Sequence, residues 1–222
     1  MNQFFIVGCI RSGTTFFCDM FTDFVDEVYN ETGDRNIHNR LHLKDKNFAF
    51  KFCEDFKFIP NIKENFPNSQ IFLVVRDLRD SLNSIYNPND KSIPRRKFPI
   101  VEKRSNELNI TMFEAGLSLL YDYYVDINKL IIAREDVNNK VVKTVIYDDI
   151  CKNPAYLKKI FDELFPENIK PIGYYQNKIL KTPNQKSYLN WNEQQKNMFK
   201  TYKNGFFNKL LIHFKFENDE NW

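Results

Sequence analysis

The segment GCIRSGTT, which begins at Gly8, follows directly on the apolar run FFIV and carries residues that can bind an anion. Gly8 and Gly13 have the spacing of the phosphate-binding loop G-x-x-x-x-G-K-[ST], in which backbone N–H groups surround the phosphates. Thr14 stands where that motif has the lysine that reaches the β- and γ-phosphates of a nucleoside triphosphate. The loop has gained Arg11 and the paired hydroxyls of Thr14 and Thr15 instead. The sequence therefore predicts a site for a shorter anionic chain, without an obligatory magnesium ion.

A second turn of the same type follows the apolar, β-branched run QIFLVV at residues 70–75. Arg76 comes directly after this run, and the apolar residues of the following RDLRDSLNSIY recur at helical spacing. Ser84 lies eight residues after Arg76 on the predicted helix. The chain thus has two strand-to-helix turns that contain an arginine, Arg11 in the first and Arg76 in the second.

Apolar periodicity along the chain predicts strands that alternate with helices. Strands are predicted at residues 3–8, 48–52, 70–75 and 140–147, and helices at 14–28, 59–65, 78–85, 117–131, 155–165, 192–203 and 206–214. Proline and basic residues between 88 and 105 predict an exposed loop or lid there. Alternating strands and helices imply a parallel sheet with right-handed crossovers, covered on both faces, and such sheets bind ligands at the carboxyl ends of their strands. The predicted fold is α/β, a P-loop-like three-layer sandwich with a central parallel sheet flanked by helices.

Composition limits the class of protein. The chain has 222 residues, 42% of them hydrophobic, which is enough for one domain spanning 1–222 with a substantial core. A net charge of +3 is far from the basicity of a protein whose main partner is nucleic acid. The four cysteines are scattered without a C-x-x-C pair, which argues against a zinc site or a disulfide framework. We find no signal peptide and no apolar run approaching the ~20 residues that cross a bilayer, so we expect a cytoplasmic protein.

The two turns together resemble those of sulfotransferases that use 3′-phosphoadenosine 5′-phosphosulfate (PAPS). RSGTT after an apolar strand resembles the 5′-phosphosulfate loop of that family, and IFLVVRDLRDSLNS resembles its 3′-phosphate segment. The resemblance implies that Arg76 and Ser84 bind the 3′-phosphate, with Arg79 adding charge nearby. It also implies that one group of loop residues binds the 5′ end of the donor. This group is Arg11, Ser12, Gly13, Thr14 and Thr15.

Two further stretches extend the resemblance from residue 3 to about 165. FAFKFCEDFKFIPNIKENFPNSQIFLVVRD resembles the family segment that carries a lysine on a strand, and it places Lys51 near the transferred sulfonate. VIYDDICKNP resembles a Tyr-Glu-Asp-Leu stretch followed by Asn/Asp-Pro, with Tyr147, Asp148 and Pro154 matching. The later NQKSYLNW does not match the glycine-rich motif that also binds the 3′-phosphate in cytosolic members.

The resemblance implies catalytic roles as well. Arg11 would neutralise the leaving 5′-phosphate, and Lys51 would contact the sulfonate or the bridging oxygen. Cytosolic members use a histidine two residues after the strand lysine as the general base, but this chain has Cys53 there. Several carbohydrate-acting members use a glutamate after the first helix, which favours Glu31 as the base, with Glu54 second.

The function predicted is transfer of a sulfonate from PAPS to a hydroxyl or amine of an acceptor, a carbohydrate or small metabolite, without a metal. The products are the sulfated acceptor and adenosine 3′,5′-bisphosphate. One alternative is a P-loop nucleotide kinase or other phosphotransferase, against which the lysine missing at Thr14 counts. Another is a non-catalytic nucleotide-binding protein of the same fold. Ordinary structural roles remain for single residues, an ion pair at the sheet edge for Arg11 or Arg76 and a surface position for Lys51.

Overall fold

The computed structural model describes residues 2–9, 12–30, 42–53, 59–86, 98–132, 142–179 and 187–216. The chain divides into two compact units. The first unit comprises Met1–Val75 and Asp126–Pro183, and the second comprises Arg76–Val125 and Asn184–Trp222. That residues 1–222 behave as one domain stays a prediction.

A five-stranded sheet forms the centre of the first unit. Its strands are β1 (Gln3–Gly8), β2 (Glu27–Tyr29), β3 (Phe48–Cys53), β4 (Gln70–Val75) and β5 (Val142–Ile146). All neighbouring strands are parallel, in the order β2-β3-β1-β4-β5. The predicted α/β class with a central parallel sheet is confirmed.

Helices connect and follow these strands. They are α1 (Thr14–Asp19), α2 (Ile59–Asn65), α3 (Leu78–Tyr86), α4 (Phe98–Leu108), α5 (Met112–Ile132), α6 (Tyr147–Lys152), α7 (Pro154–Leu164), α8 (Ile172–Lys178) and α9 (Glu193–His213). Within the described ranges, no helix is both long and apolar enough to cross a membrane.

The first unit is built around phenylalanine. Every residue of β1 is buried, as expected for a central strand of a parallel sheet that is covered on both faces. Phe4 on one face packs against Phe21 at a ring-centroid distance of 4.8 Å. Phe5 on the other face contacts Phe48 edge-on at 5.4 Å. Aromatic rings on both faces of β1 thereby fix the strand that leads into the glycine-containing loop.

The first helix is shorter than predicted. The predicted helix over 14–28 ends at Asp19, a 3₁₀ turn follows at Met20–Asp23, and Glu27–Tyr29 joins the sheet as β2. Phe24, Val25 and Val28 nevertheless pack against the same core, which is why their helical spacing continued past the end of the helix. A strand of three residues is too short to show the alternation of apolar and polar residues that predicts a strand.

The predicted loop at 88–105 is also corrected in part. Residues 98–105 belong to α4, whereas 87–97 lie outside the described residues. Pro99 occupies the first turn of this helix, where a backbone N–H would have no intrahelical acceptor, so the proline is tolerated. A proline that suggested a loop thus lies at the beginning of a helix.

The described part of the second unit is mainly helical. On α5, a Cβ at Gly116 would lie 2.9 Å from Leu82 Cδ1 of α3, so α5 and α3 approach closely at this position. Four residues of α9, Tyr202–Gly205, have non-helical dihedral angles, and Lys203, Asn204 and Gly205 are left-handed. This break divides α9 into two helical segments, which confirms the two helices predicted there.

Candidate functional site

The loop after β1 begins at a position where only glycine fits. A Cβ at Gly8 would lie 2.6 Å from Ser12 Oγ, 2.6 Å from Thr14 Cγ2 and 2.7 Å from the carbonyl oxygen of Val74. These distances are below any ordinary Cβ contact. The Ser12 N–H donates to the Cys9 carbonyl oxygen at 3.1 Å, which closes the turn. The sequence motif therefore corresponds to a tightly folded backbone at the carboxyl end of β1.

Gly13, at the other end of the loop, is required for two reasons. Its φ of +92° is in the left-handed region that favours glycine. In addition, a Cβ here would lie 1.9 Å from Cδ2 of Tyr147, the first residue of α6. The Gly13 carbonyl oxygen accepts from the Phe17 N–H at 3.1 Å, so the left-handed residue leads directly into α1.

The hydroxyl groups of the loop differ in environment. Ser12 is fully buried, and its Oγ has no hydrogen-bond partner among the described residues. Thr14 is also buried, whereas Thr15 is exposed. A buried hydroxyl without a protein partner is costly, which makes Ser12 Oγ a group that a bound anion would satisfy.

Lys51 brings a positive charge to this loop from the neighbouring strand. It lies on β3 in register with Ile6 of β1, and its Nζ donates a hydrogen bond of 2.9 Å to Thr15 Oγ1. The loop that lacks a lysine of its own at Thr14 therefore has an ammonium group beside its last hydroxyl. Among the predicted site residues of the first unit, the structure brings Lys51 into contact with Thr15, which follows Ser12, Gly13 and Thr14 in the same loop.

Three predicted catalytic residues, Arg11, Glu31 and Glu54, lie outside the described residues. Their roles stay predictions. Among the residues that the structure does describe, no group of three or more His, Cys, Asp or Glu side chains is placed to hold a metal ion.

The second predicted phosphate turn begins the second unit. Arg76 follows β4 and is partly exposed, whereas Ser84 on α3 is only 4% exposed. Every residue from Leu78 to Ile85 is buried, polar side chains included. The polar side chains of α3 thus have little exposure to solvent, and Arg76, two residues before the helix, is partly exposed.

Arg79 has a different role from the one expected. Instead of adding charge near a phosphate, its guanidinium forms a buried ion pair with Asp77, with Nε at 3.0 Å from Oδ1 and Nη2 at 2.6 Å from Oδ2. Its Cζ lies 4.1 Å from the centroid of the Tyr188 ring. Arg79 is 1% exposed, so this arginine holds the first turn of α3 together.

Sequence reasoning missed the residues that pack on α3. Tyr188 covers Arg79, and the Trp191 indole N–H donates to Asn83 Oδ1 at 3.3 Å. Both aromatic residues come from the SYLNW stretch that did not match the glycine-rich motif. The presence of two aromatic residues in a polar stretch could have predicted this packing, since large aromatic rings are usually buried against a core.

Comparison with known proteins rests on structure alone, since no family model and no curated protein matches the sequence. The mouse sulfotransferase SULT7A1, whose crystal structure contains PAP, superposes with a TM-score of 0.56 at 16% identity, over 99% of this chain and 87% of that chain. A sulfotransferase from Alicyclobacillus acidocaldarius has a TM-score of 0.54 at 12% identity, over 96% of both chains. The sulfotransferase domain from the curacin biosynthetic pathway has a TM-score of 0.51 at 9% identity, over 97% and 98% of the two chains. Together with the glycine-containing loop after β1, these superpositions give the chain the sulfotransferase fold.

Proposed function

We propose that this protein is a sulfotransferase that transfers the sulfonate of PAPS to a hydroxyl or amine of a carbohydrate or small metabolite. The observation that carries the proposal is the hydrogen bond between Lys51 Nζ and Thr15 Oγ1, because it places an ammonium group beside the anion-binding loop. A sulfotransferase has to stabilise negative charge at this point, on the transferred group and on the leaving phosphate. The solved structure that contains PAP supports the choice of donor.

The loop residues suit the 5′ end of such a donor. PAPS, when bound, supplies a sulfonate that is activated by its bond to the 5′-phosphate. Ser12 offers a buried hydroxyl that has no partner in the described part of the chain, and Thr14 and Thr15 add two more hydroxyls. Gly8 and Gly13 let the backbone fold closely enough for its N–H groups to face an anion.

Charge neutralisation is assigned to two cations. Lys51 is held by Thr15 and would contact the sulfonate or the bridging oxygen. Arg11 would neutralise the negative charge that remains on the 5′-phosphate. Fixed cations next to a developing negative charge accelerate group transfer because they need no reorganisation during the reaction.

Binding of the 3′-phosphate is assigned to Arg76 and Ser84. Arg76 is partly exposed and carries a permanent charge, so it suits a charge-assisted hydrogen bond to phosphate. Arg79 is left out of this assignment, since Asp77 already neutralises it.

The general base is assigned to Glu31, with Glu54 as the second candidate. The base has to accept the proton of the acceptor hydroxyl or amine as the bond to sulfur forms. Glu31→Gln and Glu54→Gln, each followed by a pH–rate profile, separate the two. The base is the glutamate whose replacement removes the acidic limb of the profile, and a profile that is unchanged excludes the residue.

Calorimetric binding of adenosine 3′,5′-bisphosphate tests the donor assignment, with ATP-magnesium and adenosine 5′-monophosphate as controls. We expect selective binding of the bisphosphate, and we expect Arg76→Ala to weaken it while affinity for the 5′-monophosphate is unchanged. Lys170→Ala, which removes a cation near the Phe24 ring of the first unit, serves as the charge-matched control. Equal or tighter binding of ATP-magnesium would favour the phosphotransferase alternative.

Transfer itself requires a second measurement. An acceptor screen with labelled PAPS should yield a labelled sulfated product from a carbohydrate or small metabolite. Tight binding of adenosine 3′,5′-bisphosphate without transfer to any acceptor would favour the non-catalytic alternative.

A further inference from the structure

The aromatic ring of Tyr147 lies directly against the backbone of Gly13. We infer that Tyr147 is a positioning residue that holds the phosphate-binding loop in its binding conformation. The inference rests on the proposed function, since it concerns the loop assigned to the 5′ end of PAPS. It assigns a role to the carbon atoms of an aromatic ring rather than to a charged group.

The contact is close and involves three consecutive carbon atoms of the ring. An ideal Cβ on Gly13 would lie 1.9 Å from Cδ2, 2.3 Å from Cε2 and 2.7 Å from Cγ of Tyr147. Three ring atoms thus occupy the volume that any other residue at position 13 would need. Tyr147 is 8% exposed, so the ring has little room to move away.

The topology explains how two distant residues meet. Gly13 follows β1, whereas Tyr147 follows Ile146, the last residue of β5. In the sheet, β4 lies between these two strands, and all three are parallel. Their carboxyl ends therefore lie at one edge, where a large side chain from β5 can reach the loop after β1.

Glycine is the residue for which such support has the largest effect. Without a Cβ, Gly13 has access to more backbone conformations than any other residue, and binding an anion would restrict it to one. A ring packed on its Cα removes alternative conformations before the ligand arrives, which lowers the entropic cost of binding. The Tyr147 ring, which lies outside the loop, therefore helps to hold Gly13 at its φ of +92°.

The ring itself is fixed by the first unit. Phe16 on α1 contacts it edge-on at a centroid distance of 6.1 Å. Tyr147 also belongs to the buried cluster that contains Phe17 and Phe161. Because the contact with Gly13 involves ring carbons, Tyr147→Phe keeps this contact, and we expect the variant to keep the positioning effect.

The test compares two nucleotides, one with a 5′-phosphate and one without it. In Tyr147→Leu, we expect the affinity for adenosine 3′,5′-bisphosphate to fall about tenfold, as expected when one preorganising contact is lost. The affinity for adenosine 3′-monophosphate should stay unchanged, because that ligand does not contact the loop. Tyr147→Phe should bind both nucleotides like the wild type, and Tyr147→Met provides a second ringless variant if the leucine variant does not fold.

Tyr175→Leu is the matched control. Tyr175 is a fully buried tyrosine of the same cluster, so this change truncates the same core. We expect it to lower thermal stability without changing the ratio of the two dissociation constants. In the Tyr147→Leu variant, by contrast, the ratio should shift about tenfold.

The outcomes separate the inference from the proposed function. If the wild type binds neither nucleotide, the proposed function fails and the inference fails with it. If the wild type binds the bisphosphate but Tyr147→Leu loses affinity equally for both nucleotides, the inference alone is overturned. An identical selective loss in Tyr175→Leu would overturn it as well, because general destabilisation would then explain the effect.

Discussion

Lys51 on β3 donates a hydrogen bond of 2.9 Å to Thr15 on α1, across 36 positions of sequence. The parallel register of β1 and β3, with Ile6 beside Lys51, brings the two residues together. A lysine from the next strand of the sheet thus lies beside the loop that has Thr14 in place of the motif lysine.

Replacing Lys51 with alanine should lower turnover by a factor of about 10² to 10³, the usual loss when one group that stabilises transition-state charge is removed. The affinity for adenosine 3′,5′-bisphosphate should change less, because that product lacks the sulfonate. Steady-state kinetics with labelled PAPS and calorimetry with the product measure the two effects. Lys46→Ala is the control, since Lys46 forms an exposed ion pair with Glu27 in the same unit. Turnover within about twofold of the wild type would contradict the role of Lys51.

Replacing Gly13 with alanine should destabilise the protein and reduce binding of adenosine 3′,5′-bisphosphate. The added Cβ would overlap the Tyr147 ring, and the residue would have to keep a φ of +92°. Gly173→Ala is the matched control, because Gly173 lies within α8 and a Cβ there would have nothing within 4 Å. That control should be neutral or stabilising, since alanine favours a helix by about 1 kcal/mol over glycine. Thermal unfolding of both variants checks the prediction, and equal effects would refute it.

Replacing Arg79 with methionine should cost about 3 to 5 kcal/mol of unfolding free energy, because the buried Asp77 carboxylate loses the positive charge of the guanidinium. Arg79→Lys should not restore the loss, since lysine lacks the planar group that contacts both Asp77 oxygens and lies over Tyr188. Urea denaturation measures the free energies.

Arg104→Met provides the comparison for that measurement. Arg104 pairs with Asp122 at 2.7 Å, and the Asp122 side chain is 54% exposed. An exposed ion pair of this kind contributes up to about 1 kcal/mol to stability. Comparing Arg79→Met with Arg104→Met therefore separates the effect of burial from the effect of removing a charge. Similar losses of unfolding free energy in the two variants would mean that Arg79 contributes no more to stability than a surface cation does.

Alkaline pH should weaken the second unit through Tyr86. Burial raises the pKa of Tyr86 to about 12 from its usual value of 10.0, because the tyrosinate would lose its hydration among Phe113 and Trp191. The neutral form is therefore favoured in the folded protein. Its contribution is fully present below pH 10.0 and is lost as the pH rises towards about 12. Tyr86→Phe should remove this component of the alkaline loss of stability, measured by urea denaturation at several pH values. A pH dependence equal to that of the wild type would contradict the assignment.

Local patterns along the chain were sufficient for much of the fold. The buried strands ending at Gly8 and Val75 and the helix Ile59–Asn65 were predicted with their bounds, because long apolar runs and strong periodicity leave few alternatives. The edge strand of the sheet was harder to predict from the sequence. Glu27–Tyr29 was assigned to a helix, because a three-residue strand at the edge of a sheet carries too little pattern of its own.

The sequence by itself determined where the glycine-containing loop lies. Two strand-to-helix turns, a loop bounded by Gly8 and Gly13 and the threonine in place of a lysine were all visible in the order of residues. These are local features, because backbone conformation depends mainly on neighbouring residues. Glycine in particular is common where the backbone must be left-handed.

Only the tertiary structure decided which side chains meet. It placed Lys51 on Thr15, set the Tyr147 ring on Gly13 and enclosed Arg79 between Asp77 and Tyr188. In the sequence, Arg76 and Arg79 are equivalent cations three positions apart. In the structure, one is partly exposed and the other is neutralised in the interior. The physical reason is that burial, charge pairing and ring packing depend on residues brought together by strand order and helix packing, which the spacing along the chain does not specify.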